Sequence, residues 1–177
     1  MYREDKTTQM AASFLKLANG RMPYIKLLKM LYIADKQMLT QHGFPITYDR
    51  WVAMKHGPVL STTYDLMKPN TPSVYWARHI RTEGYDVVLS DDPGSGDLSL
   101  AEDRIVAQVF AEFGRHTNKA IIRATHELPE WEDPGSTSTD IPYEEVLRIE
   151  GLDQEDIEAI LENIEMQDDI SRDLVSL

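Results

Sequence analysis

The sequence predicts an α+β fold: a mostly helical single domain with a small antiparallel β-sheet and an acidic helical segment at its C-terminal end. Three observations carry that expectation. Residues 23–67 hold the densest apolar and aromatic material in the chain. Short runs rich in β-formers follow at 51–54 and within 73–90. Charge is sharply divided: residues 1–126 hold 16 Lys+Arg against 13 Asp+Glu, a net +3, whereas residues 127–177 hold 2 against 17, a net −15.

Residues 6–18 form an amphipathic helix with Met10, Phe14 and Leu17 on one face, stopped by Asn19-Gly20. Pro23 suits the first turn of a second helix, because its missing N–H costs nothing there. That helix carries Ile25, Leu28, Leu31, Tyr32 and Ile33, a stripe wide enough to be buried on more than one side, and it ends at Gly43 and Pro45. Trp51 to Met54 reads as a strand closed by Lys55-His56-Gly57-Pro58. Pro58 is then expected to open a third helix through Val59, Leu60, Tyr64, Leu66 and Met67, broken by the Pro69 to Pro72 stretch.

Residues 73–80 and 85–90 flank Arg81-Thr82-Glu83-Gly84 and read as a hairpin, expected to share one sheet with the Trp51 strand. The loop 91–97 contains Asp91, Asp92 and Asp97, but the spacing is wrong for a calcium-binding EF-hand. Ser99-Leu-Ala-Glu102 is a capping box that opens a helix with Ile105, Val109 and Phe113 inside and Gly114 at its end. Thr117 caps a further helix through Ala120, Ile121 and Ala124 to Leu128, stopped by Pro129, and Trp131 is placed to fold back on it. The Ser/Thr/Gly stretch 134–139 is the one linker candidate, dividing residues 1–135 from an acidic helical segment, 136–177, docked on them. In that segment Tyr143 to Ile149 forms a short helix. Asp153 then caps a longer one with a narrow stripe of Ile157, Ile160, Leu161 and Ile164, which Ile170, Leu174, Val175 and Leu177 would prolong.

Two separated motifs resemble one known family. K-L-L-x-x-L-Y-x-A-D-K over Lys26 to Lys36, G-x-P-I-T-x-D-R-W-V-A-M-K-H-G-P-V over Gly43 to Val59 and Y-D-L over Tyr64 to Leu66 form the first. Thr125, His126 and Trp131, as T-H-x-x-x-x-W, form the second. Together they are similar to the Panacea domain, the SocA-like antitoxin domain, over roughly residues 6 to 135. The resemblance implies an antitoxin that binds a cognate protein toxin directly and masks it. It also implies a toxin of the translation-blocking kind, with a basic surface if it handles tRNA, and no separate N-terminal domain in this chain. An adaptor that delivers the toxin to a protease, or an enzyme of unrecognised type, are the alternatives.

The residues themselves point to no catalytic site. Without cysteine there is no disulfide, thiol nucleophile or thiolate metal site, which fits a cytoplasmic protein. The charged start, Met1 to Lys6, is not a signal peptide, and no apolar run is long enough to cross a bilayer. The five histidines make no H-E-x-x-H pair, and there is no G-x-S-x-G elbow, P-loop or G-x-G-x-x-G. No metal or other cofactor is expected. Nucleic-acid binding is disfavoured because Lys16, Lys26, Lys29 and Lys36 are spread over two helices and the overall charge is −12.

The candidate residues therefore concern a partner. Gly57 and Pro58 are explained by the turn they build, and Lys55 and His56 remain as contacts presented by it. His126 and Trp131, with Thr125, are read as structural: the imidazole bonds a carbonyl or hydroxyl while the indole covers it. On the acidic helix Glu155, Asp156, Glu158 and Glu162 are candidate contacts to a basic toxin surface.

Overall fold

The computed structural model describes residues 2–68 and 73–175, with side chains placed up to residue 167 of the last helix. The centre is a helix that is buried around most of its girth. This is α2 (Tyr24–His42), in which Leu27, Leu28, Met30, Leu31 and Tyr32 are at most 1% exposed. It ends where Gly43 takes a left-handed conformation, φ +81°, and returns its N–H to the Leu39 carbonyl. On one side it packs against α1 (Glu4–Leu17), whose Met10, Phe14 and Leu15 are fully buried. On another it packs against α5 (Leu100–Phe113) and α6 (Asn118–His126). The capping box of α5 forms as expected, Ser99 and Glu102 satisfying each other's backbone N–H, and Thr117 caps α6 through the Ala120 N–H.

The strands make two sheets rather than the single one expected. In the first, β1 (Arg21–Pro23), β5 (Asp86–Leu89) and β4 (Ile80–Glu83) lie in the order β1-β5-β4. In the second, β3 (Gly57–Leu60), β2 (Trp51–Met54) and β6 (Thr139–Asp140) lie in the order β3-β2-β6. Every pairing is antiparallel, and α2 touches strands of both sheets. Helix α2 therefore links both small sheets into one hydrophobic core.

Two local expectations are corrected. Pro58 does not start a helix; it lies in β3 opposite Ala53. Ser61 N–H bonds the Arg50 carbonyl, so alternation along the ladder places Pro58 at a non-hydrogen-bonded pair, where its missing N–H removes no ladder bond. Helix α3 (Ser61–Leu66) begins only after the strand, where Asp49 accepts the Thr62 and Thr63 N–H groups at 2.9 and 2.8 Å. The second correction is α4 (Val74–His79), read as a strand in the sequence. Ser73 caps it by accepting the Trp76 N–H at 3.0 Å, and the turn buries Trp76 and His79, so the hairpin shrinks to 80–83 and 86–89. The expected break at Pro69 to Pro72, and the outer stripe of Ile170, Leu174, Val175 and Leu177, fall outside the described side chains and residues.

The acidic third folds around the domain. Thr139–Asp140, at the end of the Ser/Thr/Gly stretch, adds to β2 as an edge strand. Helix α7 (Tyr143–Ile149) buries Val146 and Leu147, and the Tyr143 ring meets Trp51 edge-on at 4.6 Å. Helix α8 (Gln154–Val175) starts with Asp153 accepting the Asp156 N–H. Ile157 is buried, and Ile160, Leu161 and Ile164 pack against the core with partial exposure. No helix of the described residues is long and apolar enough to cross a membrane.

Candidate partner-binding site

The turn between β2 and β3 is fastened from several sides. Gly57 has φ +95°, and a Cβ there would stand 2.5 Å from Thr125 Oγ1 and 3.2 Å from Lys29 Nζ, so only glycine fits both the angle and the space. Lys29 Nζ donates to the outward-facing Pro58 carbonyl at 2.9 Å. Trp131 Nε1 donates to the Met54 carbonyl at 3.0 Å, and the indole stacks on His126 with centroids 3.9 Å apart and planes 3° from parallel. Both sequence motifs thus meet here, one supplying the turn and the other its clamp. The side chains of Lys55 and His56 project from it, exposed and without a hydrogen-bond or ion-pair partner among the described residues.

The clamp has an unusual electrostatic base. Lys29 is wholly buried, no carboxylate among the described residues pairs with it, and burial pulls its ammonium down to about 7. The His126 imidazole is also held below its ordinary value, first by burial and then by the charges of Lys29 and His56, with Asp133 opposing. Its Nε2 is buried with no hydrogen-bond partner among the described residues, while a hydrogen bond between the ring and the Lys55 backbone works against the lowering.

The remaining polar motif positions are framework. Asp35, completely buried in α2, accepts four bonds: the Ile46 and Thr47 N–H groups, the Thr47 hydroxyl and Trp51 Nε1, each at 2.8 Å. Burial pushes its carboxyl up to about 6 against the pull of those donors, so it is ionised at neutral pH. Asp49 gathers the start of α3 in the same way, and between Thr47 and Asp49 the chain holds Tyr48 at φ +53°. Glu130, with no exposed side-chain surface, accepts from Tyr32 Oη at 2.8 Å and from Lys36 Nζ at 3.0 Å, and Lys36 also reaches Glu150 at 3.1 Å. A signal for these residues was present in the sequence: Lys29, Asp35 and Lys36 are charged positions inside the apolar stripe of α2, where only paired or neutralised groups survive.

A family model described as the antitoxin SocA-like, Panacea domain matches residues 27–132, which run from the core helix through the Trp131 clamp. The chain belongs to the Panacea family. No curated protein and no solved structure matches it significantly. The Panacea match contains the turn, its clamp and the Asp35 and Asp49 hubs, and it stops short of β6, α7 and α8. The acidic candidates lie beyond it: Glu155, Asp156, Glu158 and Glu162 are all exposed on α8, away from the α8 residues that pack on the core. The structure thus brings Gly57, Pro58, Thr125, His126 and Trp131 together beneath Lys55 and His56. It leaves the four carboxylates on a separate element.

Proposed function

We infer that this Panacea-family protein is the antitoxin of a toxin–antitoxin pair and neutralises its toxin by direct, stoichiometric binding without catalysis. The observation that carries this is the coincidence of the family match with a turn locked on both flanks yet presenting two unsatisfied side chains, Lys55 and His56. Such a turn loses little conformational entropy when a partner docks. In this reading residues 1–135 are the antitoxin domain. Residues 136–177 are its acidic accessory, with Glu155, Asp156, Glu158 and Glu162 steering a toxin that carries a basic, translation-blocking surface.

The test is co-expression with the product of the reading frame adjoining its gene. Growth rescue by the wild-type chain, and inhibition of the purified toxin with no protease present, are the expected results. Inhibition that requires a protease would make the chain a delivery adaptor instead. The double variant Lys55→Ala, His56→Ala should melt at the wild-type temperature and rescue growth less well. Full rescue at unchanged stability would return both side chains to a solvated turn.

A further inference from the structure

Most Lys and Arg side chains among the described residues have a partner, and the exceptions cluster. Ten of them, from Arg3 to Arg148, are tied to carboxylates within 4 Å. Lys26 and Lys29 instead donate to the Gly114 and Pro58 carbonyls, at 2.5 and 2.9 Å. Among the described residues the side chains of Lys55, Arg104, Arg115, Lys119 and Arg123 have neither an ion pair nor a hydrogen bond, and all five residues are exposed. Four of those five belong to α6, its entry or the turn clamped against it.

The arrangement on α6 follows from helical spacing. Lys119 and Arg123 are four residues apart and His126 three further on, so the three share one face. His126 is stacked on Trp131, whose indole nitrogen bonds the turn at Met54, and His56 is near enough to depress the His126 pKa. The Lys119–Arg123 row therefore runs toward the turn that carries Lys55 and His56. Glu127, four residues on from Arg123, and Asp133 are exposed and form no ion pair with it.

We propose that this face, Lys119 and Arg123 of α6 continued by Lys55 and His56, is a docking surface for an acidic segment of the toxin. The proposal rests on the antitoxin reading above and adds the chemistry of the contact. Charge complementarity selects the occupant: these side chains are exposed, unpaired and mounted on a helix and a locked turn, so a partner's carboxylates replace water without breaking an existing pair. A protein segment is favoured over nucleic acid because the chain as a whole carries −12, all of it arising from the −15 beyond residue 126, and that field repels an extended polyanion. The carboxylates of α8 and the cations of α6 then read different parts of one partner.

The test uses the full chain with Lys119→Glu and Arg123→Glu together. The probe is the purified product of the adjoining reading frame, and labelled tRNA and operator-region DNA form a second arm. Melting should be unchanged, since neither side chain has a partner to lose. Affinity for the protein should fall at least about tenfold at low salt, with the difference shrinking as salt is raised. Equal affinity of both chains overturns the proposal while leaving the antitoxin reading intact. Failure of the wild-type chain to bind or inhibit the probe overturns that reading and the proposal with it. Retardation of tRNA or DNA at physiological salt by the wild type and not by the variant would reassign the face to nucleic acid.

Discussion

The face around α6 and the face of α8 are opposite in sign and in construction. The first is rigid: its turn is held by Lys29 and Trp131, and its glycine has no room for a methyl group. The second is a long helix resting on one narrow stripe, with Ile157 buried and Ile160, Leu161 and Ile164 half-exposed. A rigid face loses little freedom on binding and suits specific contact. A solvated row of like charges acts at a distance and suits steering. Location in the chain agrees with this division, since the family match covers the first face and stops before the second.

The comparison breaks most directly at Gly57. Gly57→Ala forces a Cβ onto Thr125 Oγ1 and an unfavourable φ, and should destabilise the protein by about 2–4 kcal/mol while displacing Lys55 and His56. A denaturant titration beside a toxin-binding assay checks it; wild-type stability would mean that the turn is not locked. Trp131→Ala removes the stack and the bond to Met54, and because the ring is only half-buried the expected loss is about 2–3 kcal/mol, below that of a core tryptophan. A folded Trp131→Ala chain with normal stability and no toxin binding would make the indole itself a contact.

Lys29 sharpens the same point through pH. Its ammonium is depressed to about 7, against about 10.4 in an unfolded chain, so the unfolded state binds more protons between those values. Stability should therefore rise from pH 7 toward pH 10 and be insensitive to this group below pH 7. Lys29→Met should flatten that rise, as read from melting curves across the range. The smallest effect belongs to α8. Replacing Glu155, Asp156, Glu158 and Glu162 by glutamines should leave melting unchanged and slow toxin association at low salt only, the difference vanishing when screening shortens to a few ångströms. Slower association that persists at high salt would make α8 a contact rather than a steering element.

Much of the helical frame was legible because helices are written in local signals. The 3.6-residue stripe of α2, the capping box at Ser99 and the cap at Thr117 each lie within a few residues of what they control. The errors came where a local signal met a tertiary one. Pro58 looked like a helix start until the ladder with β2 gave it a position that needs no N–H. Ser73 is a legible cap, but the β-formers Val74 and Trp76 beside it carry a competing strand signal that the buried turn overrides. Arg21–Pro23 and Thr139–Asp140 are strands only because a partner strand lies beside them, and three or two residues carry no period of their own. At the candidate site the motif residues were visible, while the buried Lys29 beneath Gly57 and the unpaired state of Lys119 and Arg123 depend on which side chains come within 4 Å.

The Asp35 hub also has a kinetic consequence. Its bonds reach only 11 to 16 residues along the chain, and those of Asp49 to α3 reach 13 and 14. The contacts of Glu130 to α2 and of Trp131 to Met54 span 94, 98 and 77 residues. Short loops close at lower entropic cost, so the segment from α2 through α3 is expected to assemble first and the clamp last. In hydrogen exchange the amides of Ile46, Thr47 and Thr63 should accordingly be among the slowest, and those around Trp131 should exchange through smaller openings. The rigid face would then be assembled in two stages, its turn early and its fastening late.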